Sequence, residues 1–204
     1  MAKLVAIHPQ NPQQRLIQQV VDVLQSGGVI AYPTDSGYAL GTALGNKNGL
    51  ERIRQIRSLS KRHDFTLMMR DLAHIGEYAK LDNNAFRLLK KILPGAYTFI
   101  LEAARNVPKR LLHEKKKTIG VRISAHGVVQ ALLTTLDEPL MSVSLILTGH
   151  EFYEIDDVRG ALDNQVDLII DDGYCPPEPT TVIDLSSGNA QIIRRGAGDT
   201  SLLE

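Results

Sequence analysis

The sequence predicts an α/β fold organised as one domain, and three observations carry that expectation. Short apolar bursts alternate with stretches whose apolar residues recur at helical spacing. The length of 204 residues, with 43% hydrophobic and 23% charged, suits a single domain that buries its own core. No internal repeat or low-complexity tract divides the chain, so residues 1–204 are taken together.

The elements follow in order. Leu4 to His8 reads as a strand, and Pro12 opens a helix carrying Leu16, Ile17, Val20, Val21 and Leu24 on one side. Gly27-Gly28 stops that helix. Val29 to Tyr32 is a buried strand broken by Pro33, and a helix over 48–58 turns Leu50, Ile53 and Ile56 inward. Thr66 to Met69 is a strand and Ala85 to Leu93 a helix ended by Pro94-Gly95. Strands follow at Tyr97–Leu101, Thr118–Ile123 and Pro139–Leu145, with a helix over Val128–Leu136 between the last two. Val166–Ile170, Thr181–Leu185 and Gln191–Arg194 complete the sheet, and residues 173–179 form a loop.

The 23 Lys+Arg balance 23 Asp+Glu, which argues against a chain-wide polyanion binder while leaving a local basic patch open. This hydrophobicity and charge argue against disorder. The one cysteine, Cys175, rules out an internal disulfide and a cysteine-rich zinc site, and reads as a loop thiol in preference to a nucleophile. The N-terminus is too short an apolar run for a signal peptide, and nowhere do about 18 apolar residues run together. A cytoplasmic protein with no membrane partner is expected.

The most unusual segment is Ala31-Tyr32-Pro33-Thr34-Asp35-Ser36-Gly37-Tyr38-Ala39-Leu40-Gly41. A buried strand runs into proline, small polar residues and glycines four apart. Strand ends of α/β folds are ligand sites, and Thr34, Ser36 and Asp35 offer hydroxyls and a carboxylate. A tight turn held by local side-chain hydrogen bonds explains the same pattern. It matches neither G-x-G-x-x-G nor a P-loop.

A basic helix face is the second feature. Arg54, Arg57 and Lys61 are spaced three and four apart, and Arg62 and His63 follow. Arginine clusters of this kind bind phosphate oxygens in a bidentate fork, though a solvated surface face has the same composition. Lys109-Arg110 and Lys115-Lys116-Lys117 extend the patch or form an exposed loop. In Arg194-Arg195 adjacent strand residues face opposite sides, so at most one enters a given site. The six histidines include no H-x-x-x-H pair and no H-E-x-x-H, and no G-x-S-x-G elbow is present. No intrinsic metal site is expected, and most of the histidines read as surface residues.

Five segments in order resemble the YrdC-like family, best known for threonylcarbamoyl-AMP synthases that begin N6-threonylcarbamoyladenosine modification of tRNA. Tyr32 to Tyr38 resembles its PTDT-x-YG-L-G signature, and Leu93-Pro94-Gly95-Ala96-Tyr97-Thr98 resembles W-P-G-P-x-T. Gly120 to His126 resembles V-R-x-P-x-H, Pro179 to Leu185 resembles S-T-V-V-D-L, and Ile193-Arg194-Arg195-Gly196 resembles L-R-P-G. The resemblance spans about residues 12–198 and implies a twisted mixed sheet flanked by helices around a large concave basic cavity.

There are also departures. Synthases carry a K-x-R pair where this chain has Arg57-Ser58-Leu59, and S-x-N where it has Ser144-Leu145-Ile146. The expected histidine falls at Met69. These features resemble the YciO-type branch.

The resemblance implies a nucleotidyltransferase reaction: threonine, bicarbonate and ATP, with Mg²⁺ arriving on ATP, give threonylcarbamoyl-AMP and pyrophosphate. Thr34, Arg122, Thr180 and Thr181 would hold threonine, with Arg122 on its carboxylate. Arg57, Lys61, Arg62, Ser144 and Arg194 would face the phosphates. Loss of one arginine–phosphate contact, at about 1.5–3 kcal/mol, implies a rate about tenfold to hundredfold lower. The alternative is a protein that binds double-stranded RNA or tRNA without catalysis, through Arg54, Arg57, Lys61 and Lys115, Lys116 and Lys117. Either reading requires Arg54, Arg57, Arg122 and Arg194 to converge on one cavity.

Overall fold

The computed structural model describes residues 1–60, 65–105, 107, 117–175 and 177–201. Lys61, Arg62, Lys115 and Lys116 therefore lie outside the described residues. The first half of the chain contains β1 (Lys3–Ala6), α1 (Gln14–Gln25), β2 (Val29–Thr34), β3 (Gly37–Ala43), α2 (Lys47–Ile56), β4 (Thr66–Met68), α3 (Leu72–Tyr78) and α4 (Asn83–Ile92). The second half contains β5 (Tyr97–Glu102), β6 (Thr118–Arg122), α5 (Gly127–Leu136), β7 (Leu140–Ser144), α6 (Ile155–Leu162), β8 (Leu168–Asp171), β9 (Thr181–Asp184) and β10 (Gln191–Arg194).

The ten strands form one mixed sheet in the order β1-β8-β2-β3-β7-β4-β6-β5-β9-β10. The β2/β3, β3/β7, β4/β7, β5/β6 and β9/β10 pairs are antiparallel. The β1/β8, β2/β8, β4/β6 and β5/β9 pairs are parallel. Apolar residues line both faces. One face packs Ile30, Tyr32, Met68 and Leu140 under α1 and α5. The other packs Ala31, Leu40, Leu67, Val121 and Met141 under Leu50 and Ile53 of α2, Leu89 of α4 and Val158 of α6. Sheets covered by helices on both sides bury alternate residues in opposite directions, and this alternation decides what each site residue faces.

Four elements differ from expectation, and one is α3: no helix was expected over Leu72–Tyr78, which Asp71 caps by accepting from the His74 amide at 2.8 Å. β2 does not break at Pro33: the strand continues through it to Thr34, with Pro33 opposite Tyr38. On its other edge β2 pairs with β8 only at Ile30 and Ala31, so the missing proline N–H lies beyond that ladder. β3 was not expected, because its glycines read as turn residues. They are strand glycines: a Cβ on Gly41 would stand 2.8 Å from Cε1 of Tyr32, so the Tyr32 ring lies across Gly41. Short α6 was also not expected. Its reciprocal cap, Glu154 with Asp157, takes up end N–H groups that the sequence pattern hides.

The sheet is coiled as well as twisted. Three strands separate β2 from β6, which puts them about 19 Å apart in a flat sheet at ~4.8 Å per strand. Nevertheless Arg122 Nη2, at the end of β6, donates to Thr34 Oγ1, at the end of β2, over 3.3 Å. That contact requires the sheet to curl over its α1/α5 face, the face on which Met68, the β4 partner of Arg122, is also buried.

Candidate functional site

The tight turn after β2 builds the first part of the site. Gly37 adopts a φ of 96°, which favours glycine, and lets the chain reverse at once into β3. The Thr34 hydroxyl donates to the Gly37 carbonyl at 2.6 Å and accepts from the Ser36 amide at 3.1 Å. The turn and ligand-site explanations of this segment are thus not exclusive. The turn's own bonds leave the Asp35 carboxylate pointing across to the β6 end.

There Asp35 Oδ1 forms an ion pair with Arg122 and accepts from Ser124 Oγ at 2.8 Å, while its Oδ2 accepts from the Ala125 amide at 2.9 Å. Arg122 is buried, at 5% exposure, and Ser124 is fully buried. A guanidinium taken out of water needs a compensating anion and hydrogen bonds, and Asp35 and Thr34 supply them. Its Nε has no partner among the described residues. Arg122 is therefore neither a surface salt bridge nor a free cation: it is a buried charge, oriented by this chain's own carboxylate, with one donor still open.

The network continues past Ser124. The His126 amide donates to Ser124 Oγ at 3.2 Å, and His126 Nε2 lies 2.6 Å from Asp172 Oδ2, beyond the end of β8. His126 and Asp172 side chains are 14% and 5% exposed, so this histidine is not a surface residue. Tyr38, at 3% exposure, lies close by. Burial, reinforced by the Asp172 carboxylate, pushes its phenol well above the usual tyrosine range. Cys175 packs beneath the turn with Sγ 3.5 Å from the Thr34 carbonyl, and burial pushes its thiol up to about 11. It is a protonated core group at neutral pH, in keeping with its reading as a non-nucleophile. Tyr32 donates to or accepts from Ser142 Oγ at 2.5 Å, and burial pushes its phenol up to about 12.

The β9 end forms a second cluster. Arg194 Nε and Nη2 donate to the Thr180 carbonyl and hydroxyl, each at 3.1 Å, and Thr180 Oγ1 lies 2.9 Å from Thr98 Oγ1. In the β5/β6 ladder Phe99 is opposite Val121, so one further step puts Thr98 beside Arg122 on the same face. Thr180 and Arg194 thus extend the row that begins at Thr34. Thr181 faces the other way: its hydroxyl donates to the Gly198 carbonyl at 2.7 Å and accepts from the Gly196 amide at 3.0 Å. Thr180 and Thr181 occupy opposite faces of β9, and Thr181 supports the returning chain.

The α2 end is organised differently. Arg57 Nε donates to the Ser144 carbonyl at 2.8 Å and Nη1 donates to the Ile146 carbonyl. Arg57 and exposed Ser144 are therefore adjacent, with the guanidinium strapping down the chain after β7. Arg54 pairs with Glu51 at 2.6 Å and stacks over the Phe65 ring at 5.4 Å. Leu59 packs partly buried against the core, Ile146 is 57% exposed, and Met69 is fully buried. Lys117 is exposed, with its carbonyl accepting from the Ala103 amide at 3.0 Å.

The large concave basic cavity is not something the described residues show. Arg54, Arg57, Arg122 and Arg194 all hold partners within the chain, and several further cations lie outside the described residues. Among the described residues no three His, Cys, Asp or Glu side chains form a metal-ligand group. No helix among them is long and apolar enough to cross a membrane. Asp172 carried no signal in the sequence, and His126 was visible only as the last residue of V-R-x-P-x-H.

Comparison with known proteins places this geometry. A family model named for Sua5, YciO and YrdC, described as "Telomere recombination", matches residues 22–196. Escherichia coli K12 YciO is 53% identical over 201 residues, covering 98% of each chain. The crystal structure of E. coli YciO superposes with a TM-score of 0.95 over 100% of both chains. A threonylcarbamoyl-AMP synthase of Vibrio vulnificus YJ016 is 30% identical over 158 residues, 76% of this chain and 84% of its own. Sua5 of P. abyssi, solved in complex with L-threonine, shares the fold with a TM-score of 0.86 at 22% identity, over 95% of this chain and 57% of its own. Matched over most of its length, from α1 to beyond β10, the chain belongs to the Sua5/YciO/YrdC family.

Proposed function

We propose that this protein is a cytoplasmic enzyme that joins L-threonine, bicarbonate and MgATP to give threonylcarbamoyl-AMP, pyrophosphate and water, more slowly than synthases with a complete K-x-R pair. The observation that carries the reading is the buried Arg122, held by Asp35 and Thr34 at the junction of β2 and β6 with its Nε open. A guanidinium held in this way is oriented to donate to the carboxylate of an amino acid once the cover over its buried Nε shifts. The synthase relative and the threonine-bound Sua5 support threonine as the amino acid.

Adenylate transfer at the α-phosphate depends mainly on placing the reactants and neutralising charge. Arg194, exposed beside Thr180, ends the row, and Arg57, at the C-terminal cap of α2 beside Ser144, would meet the phosphates from the end of β7. Magnesium enters with ATP as part of the substrate, since such sites keep it mostly on phosphate and water.

The test is product formation. Purified protein is incubated with threonine, bicarbonate and MgATP, and threonylcarbamoyl-AMP and pyrophosphate are quantified for the unaltered chain and for Arg122→Lys. Product in equal amount with pyrophosphate, strongly reduced by Arg122→Lys, supports the reading. Absence of product from the unaltered chain, together with RNA binding that weakens steeply with salt, replaces it with the RNA-binding alternative.

A further inference from the structure

Beside the Arg122 end lies a second group of buried polar atoms that the reading above does not use. His126 Nδ1, Asp172 Oδ1 and Tyr38 Oη are each buried and without a hydrogen-bond partner among the described residues. Buried polar atoms are almost always satisfied, and exceptions mark places that a ligand or an ordered water completes. These exceptions share one environment, since His126 is bonded to Asp172 and the Asp172 charge acts on Tyr38.

The tautomer follows from the partner. A carboxylate only accepts, so in the neutral ring the proton sits on Nε2, facing Asp172, and the lone pair sits on Nδ1. The backbone fixes the ring as well, because the His126 amide is tied to Ser124 Oγ, which donates to the same Asp35 that orients Arg122. A proton acceptor and a carboxylate-binding arginine are thus mounted on one continuous network.

The amine of an amino acid is mostly an ammonium near neutral pH and has no lone pair until a base removes a proton. We propose that His126 is the general base that takes this proton from the amino-acid substrate, and that Asp172 is the positioning residue that holds its ring. The inference rests on the reading that this site takes an amino acid. The ammonium R–NH₃⁺ gives its proton to Nδ1, leaving R–NH₂ and an imidazolium stabilised by the Asp172 carboxylate. The nitrogen lone pair then attacks bicarbonate carbon, so that R–NH₂ and HCO₃⁻ give R–NH–COO⁻ and H₂O. The imidazolium returns its proton to solvent before the next turnover. The ring itself meets Asp172; Asp35 joins the cluster through Ser124 and Ala125, and Tyr38 through the Asp172 charge, with Cys175 and Asp171 also acting on Tyr38.

The experiment has two arms, both on the full chain. In the first, the ¹⁵N resonance of His126 Nδ1 is followed as threonine is added to the unaltered protein, with threonine binding measured separately by calorimetry. Binding that moves the Nδ1 signal places the ring against the amine. Binding that leaves it unmoved overturns the proposal while leaving threonine recognition intact, and lack of threonine binding overturns both. In the second, His126→Gln, which can still bond to Asp172, is expected to lower kcat about 10²- to 10⁴-fold with little change in KM for threonine. A variant with normal kcat overturns the proposal and leaves His126 as a holder of buried water. If His126→Gln folds poorly, the resonance titration on the unaltered chain still decides.

Discussion

At the junction of β2 and β6, Arg122 is buried against Asp35 and Thr34, whereas beside α2 Arg57 is partly exposed and directs its donors to main-chain carbonyls. Both arginines were expected to grip substrate, one at a carboxylate and one at a phosphate. The first sits in a network whose members all carry or stabilise charge, so removing it leaves the half-buried Asp35 without its counter-ion. The second is paired with neutral oxygens that water can also satisfy. The amino-acid end is thus preorganised as part of the fold, while the phosphate end keeps the residues and lacks the geometry of a dedicated clamp. A phosphate arriving at Arg57 must compete with the carbonyls of Ser144 and Ile146.

The largest effect should therefore come from Arg122→Ala. It removes threonine binding and, because it strands the Asp35 carboxylate, lowers the unfolding free energy by about 3–5 kcal/mol in urea titration. Adding Asp35→Asn to it should restore part of the stability and none of the binding. A loss under about 1 kcal/mol in the single variant would show that Arg122 is solvated after all, and the contrast between the two ends would disappear.

The same end should protect its thiol. With burial pushing Cys175 up to about 11 from 9.0, thiolate at neutral pH is about a hundredfold scarcer than for an ordinary cysteine. Reaction with a thiol reagent should be slow in the native protein, quicken with each pH unit toward 11, and become immediate in denaturant. Rapid reaction at pH 7 would mean that the turn above Cys175 opens readily.

The phosphate end is where function should be improvable. Leu59→Arg with Ile146→Asn restores the arginine and asparagine that synthases carry in K-x-R and S-x-N. One recovered charge-assisted contact is worth about 1.5–3 kcal/mol, so product formation should rise about tenfold to hundredfold. Ile146 is 57% exposed and should tolerate the change, whereas Leu59 packs partly against the core and bears the stability cost. An unchanged rate would locate the deficit elsewhere, with Met69 as the next position to examine.

Most of the strands and the longer helices were legible, because α1 and α4 repeat apolar residues at helical spacing and the buried strands are rich in Val and Ile. β3 was not, since Gly37 and Gly41 have the composition of a turn: Gly37 does turn the chain, and only the Tyr32 ring lying over Gly41 explains the latter as a strand residue. Thr34 and Arg122 were legible as a pair only through resemblance. Spacing alone says nothing of a contact 88 positions apart that depends on the coiling of the whole sheet. Thr181 was expected beside Thr180 in the threonine pocket, although alternation along β9, a rule available once the strand is placed, sends it to the opposite face. His126 and Asp172, 46 positions apart, form no local pattern at all. Charge balance was misleading in another way: the Arg54, Arg57 and Arg122 cations are real, but Glu51, main-chain carbonyls and Asp35 already engage them.

The smallest expected effect is also the one that isolates the difference between the ends. Arg57→Ala removes two donors from the carbonyls of Ser144 and Ile146. Both residues are exposed, so water replaces the lost bonds, and unfolding free energy should fall by only about 0.5–1.5 kcal/mol. Kinetics then separate strap from clamp. If Arg57 only holds the chain after β7, KM for ATP stays near its original value and Arg57→Lys behaves like Arg57→Ala. If Arg57 leaves the carbonyls to meet a phosphate, KM for ATP rises and Arg57→Lys, which keeps the charge, recovers much of it. The second outcome would make the carbonyl bonds a resting position, and the two ends of the site would differ in when their arginines are engaged and not in whether they bind substrate.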